Sequence, residues 1–355
     1  MLVKRTEPHT VQPAQVRHDK RGSIDQCDRH MTPRLPRIRL AAAQGALLLA
    51  GLQTPAYADT AITDQLRAVQ ALDARAGAVM YRLTSANPEK CPVTMPGTGL
   101  VLHTLEQYPA AIHSDVRAVF GFETPLAIAV VVPGSPADLA GLKARDSILA
   151  INGVAVRPPD AEEQGTSLRR DAIERELAKL DPRSPLTIQA VRSGETVSIT
   201  FSPKIACRTR HEVRFGARDM AVSDGETIQF SDAFVSTADD DALAVIAAHE
   251  LAHTALEHNR KLQAKGVNLG LWRGFGRNAR EIRASEDEAD AASIAILAAA
   301  GYDPAIAPAF WRGAGRRLGA GILRSRTHGK PAERAALLDQ AIERLRAASH
   351  EAGKR

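Results

Sequence analysis

Four hydrophobic patterns follow one another along the chain. An apolar stretch extends from Leu40 to about Leu52, shorter than the ~20 residues that a membrane-spanning helix needs. Residues 60–82 place Ile62, Leu66, Val69 and Leu72 at helical spacing and predict a helix. From about 98 to 204 the pattern shortens to strand-like runs. LAIAVVV (126–132) predicts a buried strand, and ADLAGL a short helix ended by Gly141. Ser147–Ile151 predicts another strand, closed by a tight Asn152-Gly153 turn. Residues 167–180 predict an amphipathic helix, and Leu186–Val191 and Thr196–Phe201 a hairpin around Ser193-Gly194. Beyond about 208 a short β segment is predicted at Thr227–Val235, after the turn Asp224-Gly225, and then long Ala-rich helices. The fold class is α+β: a mostly β region followed by a mainly α-helical one with a small β segment.

The first apolar run sits in a recognisable context. Arg34, Arg37 and Arg39 precede it and Ala56-Tyr57-Ala58 follows it, the order of a secretory signal peptide with cleavage after Ala58. Residues 1–58 are read as the leader, with Met31 as the expected start of the signal or, alternatively, with an extended basic region before it; an uncleaved anchor is the other reading. The mature chain is expected to be exported, into the periplasm or an equivalent compartment. The remaining organisation is 59–97 as helix and loop, 98–204 as one domain and 208–350 as another. Formal charge is +5 over the 355 residues, but the leader holds 9 Lys/Arg against 4 Asp/Glu. Residues 59–355 hold 37 of each, so the body carries no polycationic footprint and nucleic acid is excluded as a partner. Cys27 lies in the leader. Cys91 and Cys207 bracket the β-rich region, and export makes a disulfide between them the expected state, with two buried thiols as the alternative.

The segment GSPADLAGLKARDSILAING resembles PDZ domains of the bacterial protease-associated type, over roughly 100 residues. It departs from their usual Gly-Asp at Arg145-Asp146. Carried over from that resemblance, Phe120, Gly121 and Phe122 are the expected carboxylate-binding loop, whose backbone N–H groups would hold a peptide C-terminus while the peptide adds a strand to the sheet edge. A PDZ fold serving only as spacer or lid is the alternative.

The helical half contains His249-Glu250-Leu251-Ala252-His253, with Asp239–Asp241 where negative charge favours a helix start. Spacing i, i+4 puts both imidazoles on one face, within reach of a single zinc ion. Glu250 is placed to reach a water there and act as general base. A third ligand is needed, and Glu286 and Asp290 repeat the i, i+4 spacing in REIRASEDEAD; Glu288 lies about 200° from Glu286 around the helix. HELAH followed by E-x-x-A-D and AGYDP resembles the HtpX-like zinc metallopeptidases, a gluzincin type, over residues 215–346. The resemblance makes His249, His253 and Glu286 the metal ligands, Glu250 the base and Asp290 the hydrogen-bond partner of a ligand histidine. Thr327-His328, followed by Gly329, Pro331 and Arg334, makes His328 a catalytic candidate, for oxyanion stabilisation or control of metal access. His258 is about 140° from His253 on a continuous helix and is read as structural.

The expected function is an exported zinc endopeptidase, one Zn2+ per chain, acting on envelope polypeptides. Substrate would lie extended along the strand 227–235, with the PDZ domain recruiting C-termini or controlling access. Two alternatives remain: a binding or chaperone-like module with a latent or structural zinc site, and a zinc hydrolase of a non-protein substrate. The Gly-rich, apolar stretch around Leu269, Trp272 and Phe275 reads equally as a buried packing loop or as a mobile cover or peripheral membrane contact.

Overall fold

The computed structural model describes residues 56–160, 165–217, 220–267, 276–318, 328–352 and 354. The signal-peptide core, Cys27, the apolar stretch 268–275 and Thr327 lie outside the described residues. Helix α1 (Ala56–Ala86) buries Leu66, Ala76, Val79, Met80 and Leu83, the 3–4 spacing of one face. Two arginines tie it to the distant half of the chain. Arg75 pairs with Asp240 and donates to the carbonyls of Val235 and Ala238. Arg82 donates to the carbonyls of Ala300 and Gly301 and lies over the Tyr302 ring.

After α1 the chain enters and leaves the β-rich region through a two-stranded ribbon. Strand β1 (Thr94–Gly97) pairs antiparallel with β8 (Lys204–Cys207), Thr94 opposite Cys207. Cys91 and Cys207 form a disulfide at the base of this ribbon. Inside it lie β2 (Leu100–Thr104), β3 (Leu126–Val131), β4 (Ser147–Ile151), β5 (Val154–Ala155), β6 (Leu186–Arg192) and β7 (Glu195–Phe201). Their order is β2-β3-β4-β6-β7, with β5 on β4, all antiparallel. The core is Leu102, Leu126, Ile128, Leu142, Ile148, Leu186, Ile188 and Phe201.

Local chemistry fixes the connections. Helix α2 (His113–Phe120) is inserted between β2 and β3. Helix α3 (Pro136–Leu139) starts with Pro136 and is capped by Ser135 Oγ, which accepts from the Asp138 N–H. Asn152 and Gly153 both take positive φ, as a two-residue hairpin turn requires. Arg145 also takes positive φ, 77°, so the turn where PDZ domains usually carry glycine is kept, at the left-handed penalty of about 1 kcal/mol. Helix α4 (Leu168–Leu177) lies beside β2.

The C-terminal half starts with a three-stranded sheet of order β10-β11-β9: β9 (Arg210–Arg214), β10 (Ala221–Ser223) and β11 (Thr227–Ser231). β11 is central, parallel to β9 and antiparallel to β10. The expected substrate strand 227–235 is therefore a mismatch: β11 has both edges paired, and residues 232–237 form helix α5 (Asp232–Thr237). The outer strands of this sheet are β9 and β10. Helices α6 (Asp240–Ala255), α7 (His258–Ala264), α8 (Gly276–Ala299), α9 (Ile306–Arg312), α10 (Gly315–Leu318) and α11 (Pro331–Ala352) follow. Most of α6 is buried among α1, α8, α9 and the sheet. No described helix is long and apolar enough to cross a membrane.

Candidate metal centre and its surroundings

Helix α6 starts where Asp239 Oδ1 accepts the Ala242 N–H at 2.7 Å, with Asp240 and Asp241 in its first turn. Fixed in this way, it presents His249 and His253 to one side. Helix α8 crosses beside it and presents Glu286 and Asp290. The His249 Nε2, His253 Nε2 and Glu286 carboxylate atoms all lie within 4.8 Å of one another. His253 Nε2 is 3.2 Å from His249 Nε2. Glu286 Oε2 is 3.2 Å from His249 Nε2, and its Oε1 is 3.6 Å from His253 Nε2.

Outer partners set the tautomers. His249 Nδ1 faces Asp290 Oδ1 at 2.9 Å, so Nδ1–H donates and Nε2 is the atom turned toward Glu286 and His253. His258 Nε2 donates to Glu288 Oε2 at 3.2 Å, and its Nδ1 accepts from His253 Nδ1 at 2.9 Å. His253 Nε2 then faces inward as well. Three ligand-type atoms converge on one point and could hold a cation between them. Ligand bonds of about 2.0–2.1 Å in a tetrahedron put donor atoms about 3.3–3.4 Å apart. The observed separations fit a zinc ion held by His249, His253 and Glu286.

Electrostatics follows the same arrangement. Burial opposes charge on His249, but Asp290 and then Glu286 outweigh it and pull the imidazole up to about 10. Burial pushes Glu286 up, yet hydrogen bonds from His249 and His253 hold it well below the usual carboxylate range. For Asp290, burial is likewise outweighed, by Arg334 first and then by His249. Burial lowers His258 to about 4, helped by His253, in keeping with its neutral form. Glu250 is half-buried and has no hydrogen bond or ion pair among the described residues; burial raises its pKa.

Two contributors escape sequence reasoning. Arg334 on α11 donates to Asp290 through Nε at 2.7 Å and through Nη2, and reaches His249 Nδ1 at 3.2 Å. Its guanidinium stacks 3.7 Å over the Trp311 ring. His258 holds His253 because α6 ends at Ala255 and Glu257 takes φ 54°. The angle expected from a continuous helix therefore does not apply. His328 Nε2 lies 3.1 Å from Glu286 Oε2, with its side chain 39% exposed.

The PDZ-type loop is placed differently from expectation. Phe120 and Phe122 are buried, with their rings 4.8 and 4.5 Å from that of His103. Gly121 ends α2 at φ 67°, its N–H donating to Arg117 O at 2.8 Å. The two rings are thus spent on packing and the Gly121 N–H on the helix end, so Gly121 does not supply the N–H expected to hold a peptide carboxylate. The loop entering the free-edge strand β2 is Gly97-Thr98-Gly99. Between β2 and α4 the chain itself intrudes: Thr209, Arg210 and His211 line a remaining space of about 100 Å³ with Leu100–Leu102, Glu174 and Leu177. Arg170 pairs with Glu212 and Asp171, and Arg210 lies 3.4 and 3.5 Å from Asp171 and Glu174. Burial raises Glu174 to about 7 against the pull of these arginines.

A larger cleft, about 540 Å³, opens on His253 and Thr254. β10 runs along α6 beside it, with Ser223 Oγ 3.2 Å from Thr254 Oγ1.

This is a mixed helix-and-sheet protein containing a PDZ domain. The PDZ domain family model matches residues 128–163, from β3 past β5. Solved structures similar to part of the chain include an HtrA-type protease AlgW with decapeptide, at 23% identity and TM-score 0.24, covering 32% of this chain and 30% of that one. The HtrA3 PDZ domain bound to a phage-derived ligand matches at 17% identity and TM-score 0.23, covering 32% of this chain and 88% of that one. The chain thus spans under a third of the AlgW chain. No curated protein matches the chain significantly.

Proposed function

We propose that the chain is an exported zinc-dependent endopeptidase of the HtpX-like, gluzincin type, with the fold of residues 208–350 as its catalytic domain. The observation that carries this reading is the convergence of His249 Nε2, His253 Nε2 and the Glu286 carboxylate on one point, beside Glu250, which has no hydrogen bond or ion pair among the described residues. A zinc ion held there would acidify water and polarise a peptide carbonyl. Asp290 and His258 hold the two imidazoles with their Nε2 atoms inward, so binding would cost a proton but little movement of the rings. Glu250 accepts the proton of the attacking water and delivers it to the leaving amine. Its burial and lack of partners favour this exchange, since a carboxylate tied in an ion pair would be a weaker base. Substrate lies extended on the open edge of β10, where it is held beside α6 by strand addition.

His328 against Glu286 favours a second reading, a latent site. In that reading His328 occupies the third ligand until metal or substrate draws it away. The PDZ domain would serve peptide binding, and the export reading of the leader places the enzyme in the periplasm.

Elemental analysis of residues 59–355 tests the first step, with about one zinc per chain expected and loss of zinc in His249→Ala. Glu250→Gln is expected to keep zinc and lose at least about 100-fold in hydrolysis of an unfolded protein. A Glu250→Gln variant as active as the parent, or a folded chain that binds no zinc, would refute the reading. Under the latent reading, His328→Ala speeds zinc uptake without lowering kcat. A fall in kcat at unchanged zinc content assigns His328 to the oxyanion instead.

A further inference from the structure

A second cavity shares no residue with the metal centre. It holds about 390 Å³, within the ~300–1,000 Å³ typical of small-ligand pockets. It adjoins the space left between β2 and α4, but one wall is α1, which precedes the PDZ domain, and another is β9. Its apolar surface comes from Ile62, Leu66 and Val69 on α1, Val101 and Leu102 on β2, and Val213 on β9. Phe215 also lines it, although 59% exposed. One position breaks the apolar stripe of α1. Steps of four, three and four lead from Ile62 through Leu66 and Val69 to Asp73 on the same helix face. Asp73 is half-buried, lines the cavity, and has no hydrogen bond or ion pair among the described residues. Desolvation pushes it up to about 6, opposed only in part by Arg170. An acid in such a place costs folding free energy that no contact within the chain offsets.

The neighbouring charges leave this acid over. Arg170 is the sole cation on the wall among the described residues, and it pairs with Glu212 and Asp171. Arg210 pairs with Asp171 and Glu174. Burial lowers His103 to about 3 and His211 to about 4, so both rings are neutral. The two guanidiniums are therefore taken up by Asp171, Glu174 and Glu212, and Asp73 stands beyond them. Even with Glu174 protonated, Asp73, Asp171 and Glu212 outnumber the arginines by one.

We propose that this cavity binds a cationic group on an apolar stem, an ammonium or guanidinium, with Asp73 as its counter-ion and the α1 stripe packed along the stem. That chemistry is shared by a free alkylamine and by the lysine or arginine side chain of a bound polypeptide. Phe215 adds an aromatic surface that suits either the cation or its stem. The inference does not rest on the peptidase reading.

The test titrates residues 59–355 calorimetrically with two pairs of probes: hexylamine against hexanol, and a short lysine peptide blocked at both ends against its norleucine counterpart. Blocking removes the terminal carboxylate that a PDZ groove recognises. A cationic probe that fits is expected to bind about tenfold tighter than its neutral partner, the worth of one charge-assisted hydrogen bond. Asp73→Asn should erase that preference and leave the neutral probes unchanged, whereas Asp73→Glu should retain it. Because Asp73→Asn removes a desolvated charge, its Tm should equal or exceed that of the parent. Preference for hexylamine alone assigns the cavity to small amines, and preference for the lysine peptide alone to a polypeptide side chain; either supports the inference. Equal binding within both pairs, binding by none of the probes, or a preference that survives Asp73→Asn overturns it.

Discussion

Replacing Arg334 by methionine removes the cation that neutralises Asp290 at the centre of the protein. Arg334 is 6% exposed and Asp290 2%, so neither charge is screened by water. In the parent, Asp290 receives two bonds from Arg334 and one from His249. The variant leaves a buried carboxylate with the histidine alone. Breaking a buried pair from one side costs about 3–5 kcal/mol. The lost stacking on Trp311 adds about 1 kcal/mol, partly restored by the methionine sulfur. Asp290→Asn strands the guanidinium instead and costs about 2–4 kcal/mol by the same argument. The double variant removes both charges, so its cost should fall well short of the sum of the singles, with a coupling of about 3 kcal/mol. At about 2 °C per kcal/mol for a chain of this size, Arg334→Met should lower the Tm by roughly 6–10 °C. The double variant should regain much of that loss. Scanning calorimetry at pH 7 with chelator present measures all four proteins without a metal contribution. Additive singles, or an Arg334→Met cost below about 1 kcal/mol, would refute the view that a buried, mutually dependent pair organises this centre.

Asp290→Asn should also weaken zinc binding about 10–100-fold in a chelator competition, because His249 loses the acceptor that fixes its tautomer. Glu174 is raised to about 7 in the folded chain against about 4.3 when unfolded. The native state therefore binds the extra proton, and stability falls as pH rises through that window. Glu174→Gln, which mimics the protonated form, should be more stable than the parent at pH 8 by on the order of 2–3 kcal/mol and indistinguishable only below about pH 4, where the unfolded glutamate is also protonated, as read by urea unfolding. Replacing Cys91 and Cys207 by serine opens a loop of 116 residues and should cost about 2–5 kcal/mol; a Tm equal to that of the oxidised parent would show that the ribbon β1–β8 holds without it.

Much of this architecture is legible in the sequence because it depends on local rules. LAIAVVV, the Ser135 cap with Pro136, and Asn152-Gly153 each specify their element without distant help, as does the i, i+4 pairing on α6 and α8. What is not legible depends on chain reversals and long-range packing. His258 looked remote from His253 because helix geometry was extended past Ala255, where the left-handed Glu257 redirects the chain. Arg334 lies 44 residues from Asp290, and nothing local marks it as a partner. The aromatic pair around Gly121 resembled a binding loop because burial against His103 is invisible to a motif. The β segment at 227 was found, but edge or centre is a property of the whole sheet, and β11 is at its centre.

The position of β9 constrains what the PDZ domain can do for the metal centre. Residues 209–211 fill the space beside β2, and they lead directly into a strand that pairs with β11 over five residues, Arg210 with Thr227 through Arg214 with Ser231. A peptide entering beside β2 would have to displace them, breaking that ladder as well as the pairs of Arg170 with Glu212 and Arg210 with Glu174. Each exchanged strand bond is nearly neutral, but the ion pairs are half-buried and cost more to separate than surface pairs do. Recruitment through the groove would therefore be coupled to rearrangement of the sheet that flanks α6. On the proposed reading this makes groove binding, where it occurs, a change in the catalytic sheet itself.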